Sequence, residues 1–379
     1  MNIDGTCDDR FAAVATQFAA NFAEDAPLRD VGAAVAVTVD GVFVVDLWGG
    51  TVDTDIARGV PWERDTIINV WSTTKTVTAL AALMLADRGD LDVDAPVARY
   101  WPGFDAAGKD GVLVRHLLSH TAGLPGWDEP MTMTDLLDWE VATRRLADQA
   151  TWWEPGTANG YHAVSQGYLV GEVIRRVTGQ TVGDFVRQEV TGPLGADFHI
   201  GTPAERDGDV AHVIPPPDAI TDGLSEIALR TLANPPLDAA FSSTVPWRRA
   251  EIPAAGGHGN ARSVATVHTP MACGGEAMGV RLLSPTGVDT VFREQCNAPD
   301  LVLPTLVRHG IGFGLPNEMV PLPNPRTAFW GGWGGSLAVV DVDARVSFAY
   351  VMNRMGEGTV GDTRAAGLLA ATYGALAPS

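Results

Sequence analysis

The stretch Trp71-Ser72-Thr73-Thr74-Lys75, followed without a break by Thr76-Val77-Thr78-Ala79-Leu80-Ala81-Ala82-Leu83-Met84-Leu85-Ala86, decides how this chain is read. The run is long and Ala/Leu-rich, and Gly89 stands just past it as a stop signal, so it predicts a buried helix. Residues three apart on a helix share a face, which sets Ser72 and Lys75 side by side at the helix N-terminus. A serine hydroxyl is a weak nucleophile until a neighbouring base takes its proton. A helix N-terminus adds a positive dipole and free N–H groups that can hold an oxyanion.

An N-cap serine followed by a solvated lysine is the ordinary reading of such a short match. Composition argues against it here. Of the 26 Lys+Arg residues only Lys75 and Lys109 are lysine, so a chain that otherwise uses Arg kept a lysine beside this serine. Arg cannot be deprotonated in a protein, whereas a desolvated Lys can. To work as a base its pKa must fall from about 10.4 to roughly 7–8, which costs on the order of 4 kcal/mol and requires burial. The apolar helix supplies that burial.

Working outward, 379 residues allow roughly two to three domains. A hydrophobic content of 46% with 19% charged residues describes a globular chain with a sizeable core. A net charge of −20 argues against nucleic acid and anionic membranes as partners. Cys7, Cys273 and Cys296 are odd in number and fit no zinc spacing, so reduced, buried thiols are expected and no metal or cofactor is implied. The N-terminal residues show no signal-peptide pattern and no window approaches a membrane span, so a cytoplasmic location is expected.

Residues 9–23 carry Phe11, Val14, Phe18 and Phe22 at helical spacing. Two β-rich runs, 32–39 and 42–48, flank Asp40-Gly41 and predict a hairpin. From 91 to 257 helical patterns alternate with Pro/Gly turns: Glu154-Pro155-Gly156 marks a turn and 164–177 a helix ending at Gly179. Residues 208–256, with Pro215 to Pro217, Pro235-Pro236 and Pro246, read as an irregular connection of the kind that builds a pocket wall. His116 and His120, spaced i, i+4, have no accompanying third ligand and read as packing residues. Strand signals return after 258, at 309–315 and in a hairpin of 337–341 with 346–351, before a terminal helix from Thr363 to about Tyr373. The expected fold is α/β (α+β): one antiparallel sheet flanked by helices and built from residues 1–90 and 258–379, with a mainly helical domain, 91–257, inserted between them.

Several blocks stand in a telling order: Ser72-Thr73-Thr74-Lys75, then Leu117-Leu118-Ser119-His120-Thr121-Ala122-Gly123-Leu124-Pro125, then Pro155-Gly156 and Tyr161 before Gly167-Tyr168-Leu169-Val170-Gly171, and finally Trp330-Gly331-Gly332. In that order the chain resembles the serine β-lactamase and penicillin-binding-protein superfamily from about residue 30 to 372, most closely the family VIII carboxylesterases, which share the class C β-lactamase fold. The resemblance implies that Ser72 attacks an acyl carbonyl, that Lys75 takes its proton, and that Tyr161, one of five tyrosines, shares that proton and returns it to the leaving group. It also implies an oxyanion hole from the amides of Ser72 and Trp333, and a pocket wall at Trp330, with Gly331 and Gly332 letting that strand approach the substrate closely. Asn159 and His162, which flank Tyr161, are expected to line the pocket.

Two departures bear on substrate. The β-lactamase Tyr-x-Asn reads Tyr161-His162-Ala163 here, and the third motif has Trp330 where β-lactam-recognising relatives carry a basic or polar residue. A G-x-S-x-G elbow is absent, which excludes an α/β-hydrolase. His258 in a Gly-rich turn reads as a loop-holding residue and is left out of the catalytic set. The expected function is hydrolysis of small, uncharged carboxylic esters. A β-lactamase, D,D-peptidase, amide hydrolase or acyltransferase would use the same nucleophile, and a non-enzymatic ligand-binding module stands last.

Overall fold

The computed structural model describes residues 2–53, 59–216 and 224–377; Pro217 and the rest of 217–223 within the expected irregular connection lie outside them. Six antiparallel strands form the main sheet. The first three come from the N-terminal part: β1 (Ile3–Cys7), β2 (Gly32–Val39) and β3 (Val42–Gly50). The others come from the C-terminal part: β4 (Thr327–Gly331), β5 (Leu337–Asp341) and β6 (Val346–Met352). Their order is β1-β3-β2-β6-β5-β4, so the two ends of the chain meet at the β2–β6 pair, where Ala36 faces Ala349. Every residue of β5 and β6 is buried, as expected of strands covered on both faces.

Both hairpins form where the turn signals put them. Asp40 and Gly41 take positive φ values of 50° and 81°, the backbone a two-residue right-twisted hairpin needs. The N-terminal helix, α1 (Ala12–Asn21), follows a short 3-10 turn, and Phe11, Val14, Phe18 and Phe22 are all buried. It packs on the terminal helix, α5 (Thr363–Leu376). The opposite face of the sheet is covered by α4 (Ala261–Ala272), which packs on β2, β5 and β6. Between them in sequence come the predicted buried helix, α2 (Thr74–Asp87), and α3 (Ser165–Thr178), capped by Gly179 in the left-handed conformation. Residues 74–85 of α2 are buried on every side, so this helix is a core element with no polar face.

The structure departs from, or adds to, these expectations at four points. The 309–315 strand ends at His309, because its strand is Leu306–His309. Beyond it the alternation of Ile311, Phe313 and Leu315 with Gly310, Gly312 and Gly314 comes from a turn that folds back, with Gly314 bridged to both His309 and Phe329. The helical stretch 91–257 also contains a strand, Phe198–Ile200, which pairs with Gly257–Gly259, itself paired to Ile68–Asn69. This small sheet leads straight into the serine turn. Ile3–Cys7 gave no strand signal because the run is short and its middle, Asp4-Gly5-Thr6, is polar and exposed, with only Ile3 and Cys7 half-buried at its ends. The three cysteines are unpaired as expected, but each is half-buried rather than buried.

Candidate active site

Ser72 stands in a 3-10 turn, Trp71–Thr73, immediately ahead of α2. Trp71 takes a φ of 49°, a left-handed conformation that a bulky side chain adopts only under constraint. The constraint is visible: its ring is held between Trp247 at 5.5 Å and Trp333 at 4.9 Å between centroids. Thr74 Oγ1 accepts from Gly257 N at 2.9 Å, and Val70 N donates to Gly257 O at 2.8 Å, so the small sheet anchors both sides of the turn.

The three residues singled out first come together. Lys75 Nζ lies 3.0 Å from Ser72 Oγ, and the Tyr161 hydroxyl donates to Ser72 Oγ at 2.6 Å. Exposures are 7%, 1% and 4% for Ser72, Lys75 and Tyr161. Lys75 Nζ donates to Ala163 O at 2.7 Å and to Ala254 O at 2.9 Å. Burial alone pushes Lys75 well below the usual lysine value. A neutral amine has two protons and one lone pair. In that form, with both protons on the two carbonyls, the lone pair would be left to accept the Ser72 hydrogen. Burial pushes Tyr161 the other way, up to about 12, against its hydrogen bond to Ser72. Tyr161 O–H thus donates to Ser72 Oγ, and the 3.0 Å contact between Ser72 Oγ and Lys75 Nζ is one that a neutral Lys75 could use to take the serine proton.

Long-range segments deliver each partner. The turn at 154–157 forms as expected, with Gly156 at φ 83°. Asp300 then holds the tyrosine segment: one carboxylate oxygen accepts from Tyr161 N at 2.9 Å and from Val302 N and Leu303 N, and the other accepts from Asn159 Nδ2 at 3.0 Å. Ala254 belongs to the irregular connection, which thus supplies a backbone acceptor to the site. In the same connection Ile227 and Ala228 pack on the cluster of Tyr161, Trp330, Val302 and Leu303.

Trp330 is buried at the end of β4, its ring 5.5 Å from that of Tyr161 and 5.0 Å from His309. The glycines after it permit close approach, though to protein backbone: a Cβ on Gly331 would come within 2.4 Å of Gly361 N, and one on Gly332 within 2.4 Å of Val70 O. The loop carrying Trp333 is thereby laid against the serine turn. Among the described residues, neither Ser72 N nor Trp333 N donates to another group.

His162 does not line a pocket. It is fully buried, its Nε2 accepts from Leu124 N and its Nδ1 pairs with Gly160 O, so both ring nitrogens serve the backbone behind Tyr161. Asn159 is likewise buried, with its amide nitrogen on Asp300. His120, with φ 60°, accepts from His162 N and forms with His162 and His309 a buried group behind Tyr161 and Trp330. Burial keeps all three below the usual histidine value, His162 at about 3 and His309 at about 4. His116 accepts from Leu113 N at the start of its short helix. His258 pairs with Gly256 O and makes no hydrogen bond to Ser72, Lys75 or Tyr161. Among the described residues no group of His, Cys, Asp or Glu could hold a metal ion. No helix among them is long and apolar enough to cross a membrane.

Asp300, Ala254 and His309 were not singled out beforehand. Asp300 follows Pro299 in a loop with no motif around it, and a carbonyl acceptor leaves no trace in residue type.

Comparison with known proteins bears on the chain as a whole. A family model described as Beta-lactamase matches residues 22–372. The Esterase/beta-lactamase LipL of Mycobacterium tuberculosis is 38% identical over 371 residues, covering 93% of this chain and 83% of that protein. The crystal structure of a family VIII carboxylesterase superposes with a TM-score of 0.93 at 41% identity, covering 99% of this chain and 100% of the other. A penicillin-binding protein homologue from Caulobacter crescentus also gives a TM-score of 0.93, at 39% identity and the same coverage.

Proposed function

Because the chain belongs to the beta-lactamase family, we propose that it is a serine carboxylesterase acting on short-chain, uncharged esters through an acyl-enzyme on Ser72. What supports this most is the hydrogen-bond chain Tyr161–Ser72–Lys75, in which the lysine's other two positions are taken by Ala163 O and Ala254 O. As Ser72 Oγ attacks the ester carbonyl, its proton passes to the Lys75 lone pair. The oxyanion that forms is held by the Ser72 and Trp333 amides. Tyr161, protonated at neutral pH, gives its proton to the departing alkoxide and regains one from Lys75 by way of the emptied site. Water then attacks the acyl-enzyme, losing its proton along the same route in reverse.

The uncharged substrate is argued from Trp330 and from the lack, among the described residues, of a cation hydrogen-bonded or stacked at its ring to replace the third-motif lysine. Arg326, the nearest in sequence, hydrogen-bonds Asp289 and lies over the Phe292 ring. A carboxylate entering beside Trp330 unpaired would cost several kcal/mol, on the order of 2–7 for a neutral polar group and more for a charge. A neutral ester gains from the ring. β-Lactam hydrolysis on the same nucleophile is the second reading, favoured by the double name of the 38% identical relative.

The test compares p-nitrophenyl acetate and butyrate with a chromogenic cephalosporin on one enzyme batch, with mass spectrometry for an acyl adduct on Ser72. We expect kcat/KM to favour the esters by orders of magnitude. Equal efficiency on the cephalosporin would promote the second reading. A cytoplasmic location, supported by three unpaired cysteines among the described residues, is checked by cell fractionation.

A further inference from the structure

Two backbone donors act together on one oxygen only if the elements carrying them keep a fixed distance. Here the two amides assigned to the oxyanion lie on different elements: Ser72 on the turn before α2, and Trp333 on the loop between β4 and β5. Ser336, fully buried in that loop, joins them. Its hydroxyl donates to Val70 O at 2.8 Å and shares a 2.9 Å hydrogen bond with Thr73 Oγ1. A hydroxyl has one proton, so with that proton on Val70 O, Thr73 is the donor in the second bond.

The one oxygen therefore grips the serine turn on both sides of Ser72. On its own side, Ser336 O accepts from Gly332 N at 2.8 Å, closing the loop one residue before Trp333. Among the described residues no other hydrogen bond joins 332–336 to 70–76. The far side of the loop is fixed independently: Arg364 Nη2 donates to Gly334 O at 2.8 Å, and so does Gly356 N, also at 2.8 Å. The loop thus has a rigid back and a single polar tie at its front.

From this we infer that Ser336 is a positioning residue for ester hydrolysis: its hydroxyl sets the spacing between the Ser72 and Trp333 amides and so the grip on the oxyanion. The inference rests on the reading of Ser72 as nucleophile. A buried serine that merely satisfies a carbonyl would influence stability alone, so the test must read the oxyanion itself.

Ser336→Ala is assayed on p-nitrophenyl acetate and on its thiono analogue, in which C=S replaces C=O. Sulfur is larger and a weaker acceptor, so the ratio of the two rates reports how well two donors converge on oxygen. A loop displaced by a fraction of an ångström should lower kcat on the oxygen ester by about 10–100-fold, with KM within about threefold, and reduce the oxygen-to-sulfur preference by a similar factor. Thr73→Val removes the second bond at nearly the same volume. It should act in the same direction and add little on top of Ser336→Ala, since the two share one interaction. Equal losses on both esters, or a lowered Tm with kcat unchanged, would overturn the inference. If Ser336→Ala does not fold, Thr73→Val decides by the same ratio. The two readings fail separately: an acyl adduct on Ser72 with an unmoved ratio rejects only the role of Ser336, whereas wild-type enzyme that never acylates at Ser72 rejects the esterase site itself.

Discussion

Lys75 and Lys109 are each about 1% exposed, and among the described residues neither has a carboxylate within salt-bridge distance, yet their surroundings suit them to opposite roles on the reading proposed above. Lys109 Nζ, beneath the 106–108 turn and the end of the helix Trp139–Asp148, donates to three carbonyls, Ala106 O, Ala147 O and Gln149 O. Three acceptors match the three protons of an ammonium, a compact donor that the planar guanidinium of Arg cannot imitate. Burial lowers its pKa, while Asp148 and Asp105 act to raise it. Lys75 meets two carbonyls and a hydroxyl, and burial is the one influence on it. A single exchange, a hydroxyl for a carbonyl, separates a structural staple from the proposed base. The scarcity of lysine thus has one cause at both sites, since each requires a small point donor in a dry place.

The sharpest way to break this contrast is at Lys75. Ser72→Ala and Lys75→Arg should each reduce ester turnover by about 10⁴-fold or more, because members of a unit that acts together are lost as a unit. Substantial activity in folded Lys75→Arg would show that a neutral amine is not needed. Tyr161→Phe should cost about 10²–10⁴-fold while its melting temperature stays close to wild type, since only a hydroxyl is removed. Wild-type rates there would leave Tyr161 a packing residue.

The pH profile tests the same point without mutation. Lys75 must be unprotonated and its pKa is lowered, so kcat/KM should rise with pH along one limb centred below the ordinary lysine value of about 10.4 and then stay level. Tyr161 ionises only at about 12, so a descending limb near neutrality would contradict its role as the acid. The smallest catalytic effect belongs to the other lysine. Lys109→Met should lower stability by about 2–4 kcal/mol, measured by denaturant unfolding, because three buried carbonyls lose their donor. Ester turnover of the folded variant should stay within about threefold of wild type. A large loss of kcat with stability intact would erase the distinction between the two sites.

What could be read from residues alone divides along the same line. Ser72 and Lys75 are one helical turn apart, and the helix that seats them announces itself by composition. The hairpins at Asp40-Gly41 and around 342–345 are equally local. Tyr161 could be placed only through the resemblance, because nothing near it in the chain distinguishes it from an ordinary buried phenol. The carbonyl of Ala254, the carboxylate of Asp300 and the hydroxyl of Ser336 reach the site from distant segments, and each acts through a group that many residues possess. His162, expected beside the pocket, gave no sign of its backbone partners for a related reason. Its neighbours in sequence, Tyr161 and Ala163, both serve the serine–lysine pair, and its own side chain points the other way into a backbone cradle.

The join between β2 and β6 bears on how this hydrolase comes into being during synthesis. Ala33 to Val39 find their partners in Val346 to Met352, so the inner edge of the first hairpin waits for a neighbour that lies roughly 300 residues further along the chain. Closing so long a loop is entropically slow, and an unpaired edge is open to other strands in the meantime. The loop with Trp333 arrives equally late. A nascent chain can therefore hold its serine helix long before it can shape the proposed oxyanion site, which on that reading is complete only once β4 and β5 have docked.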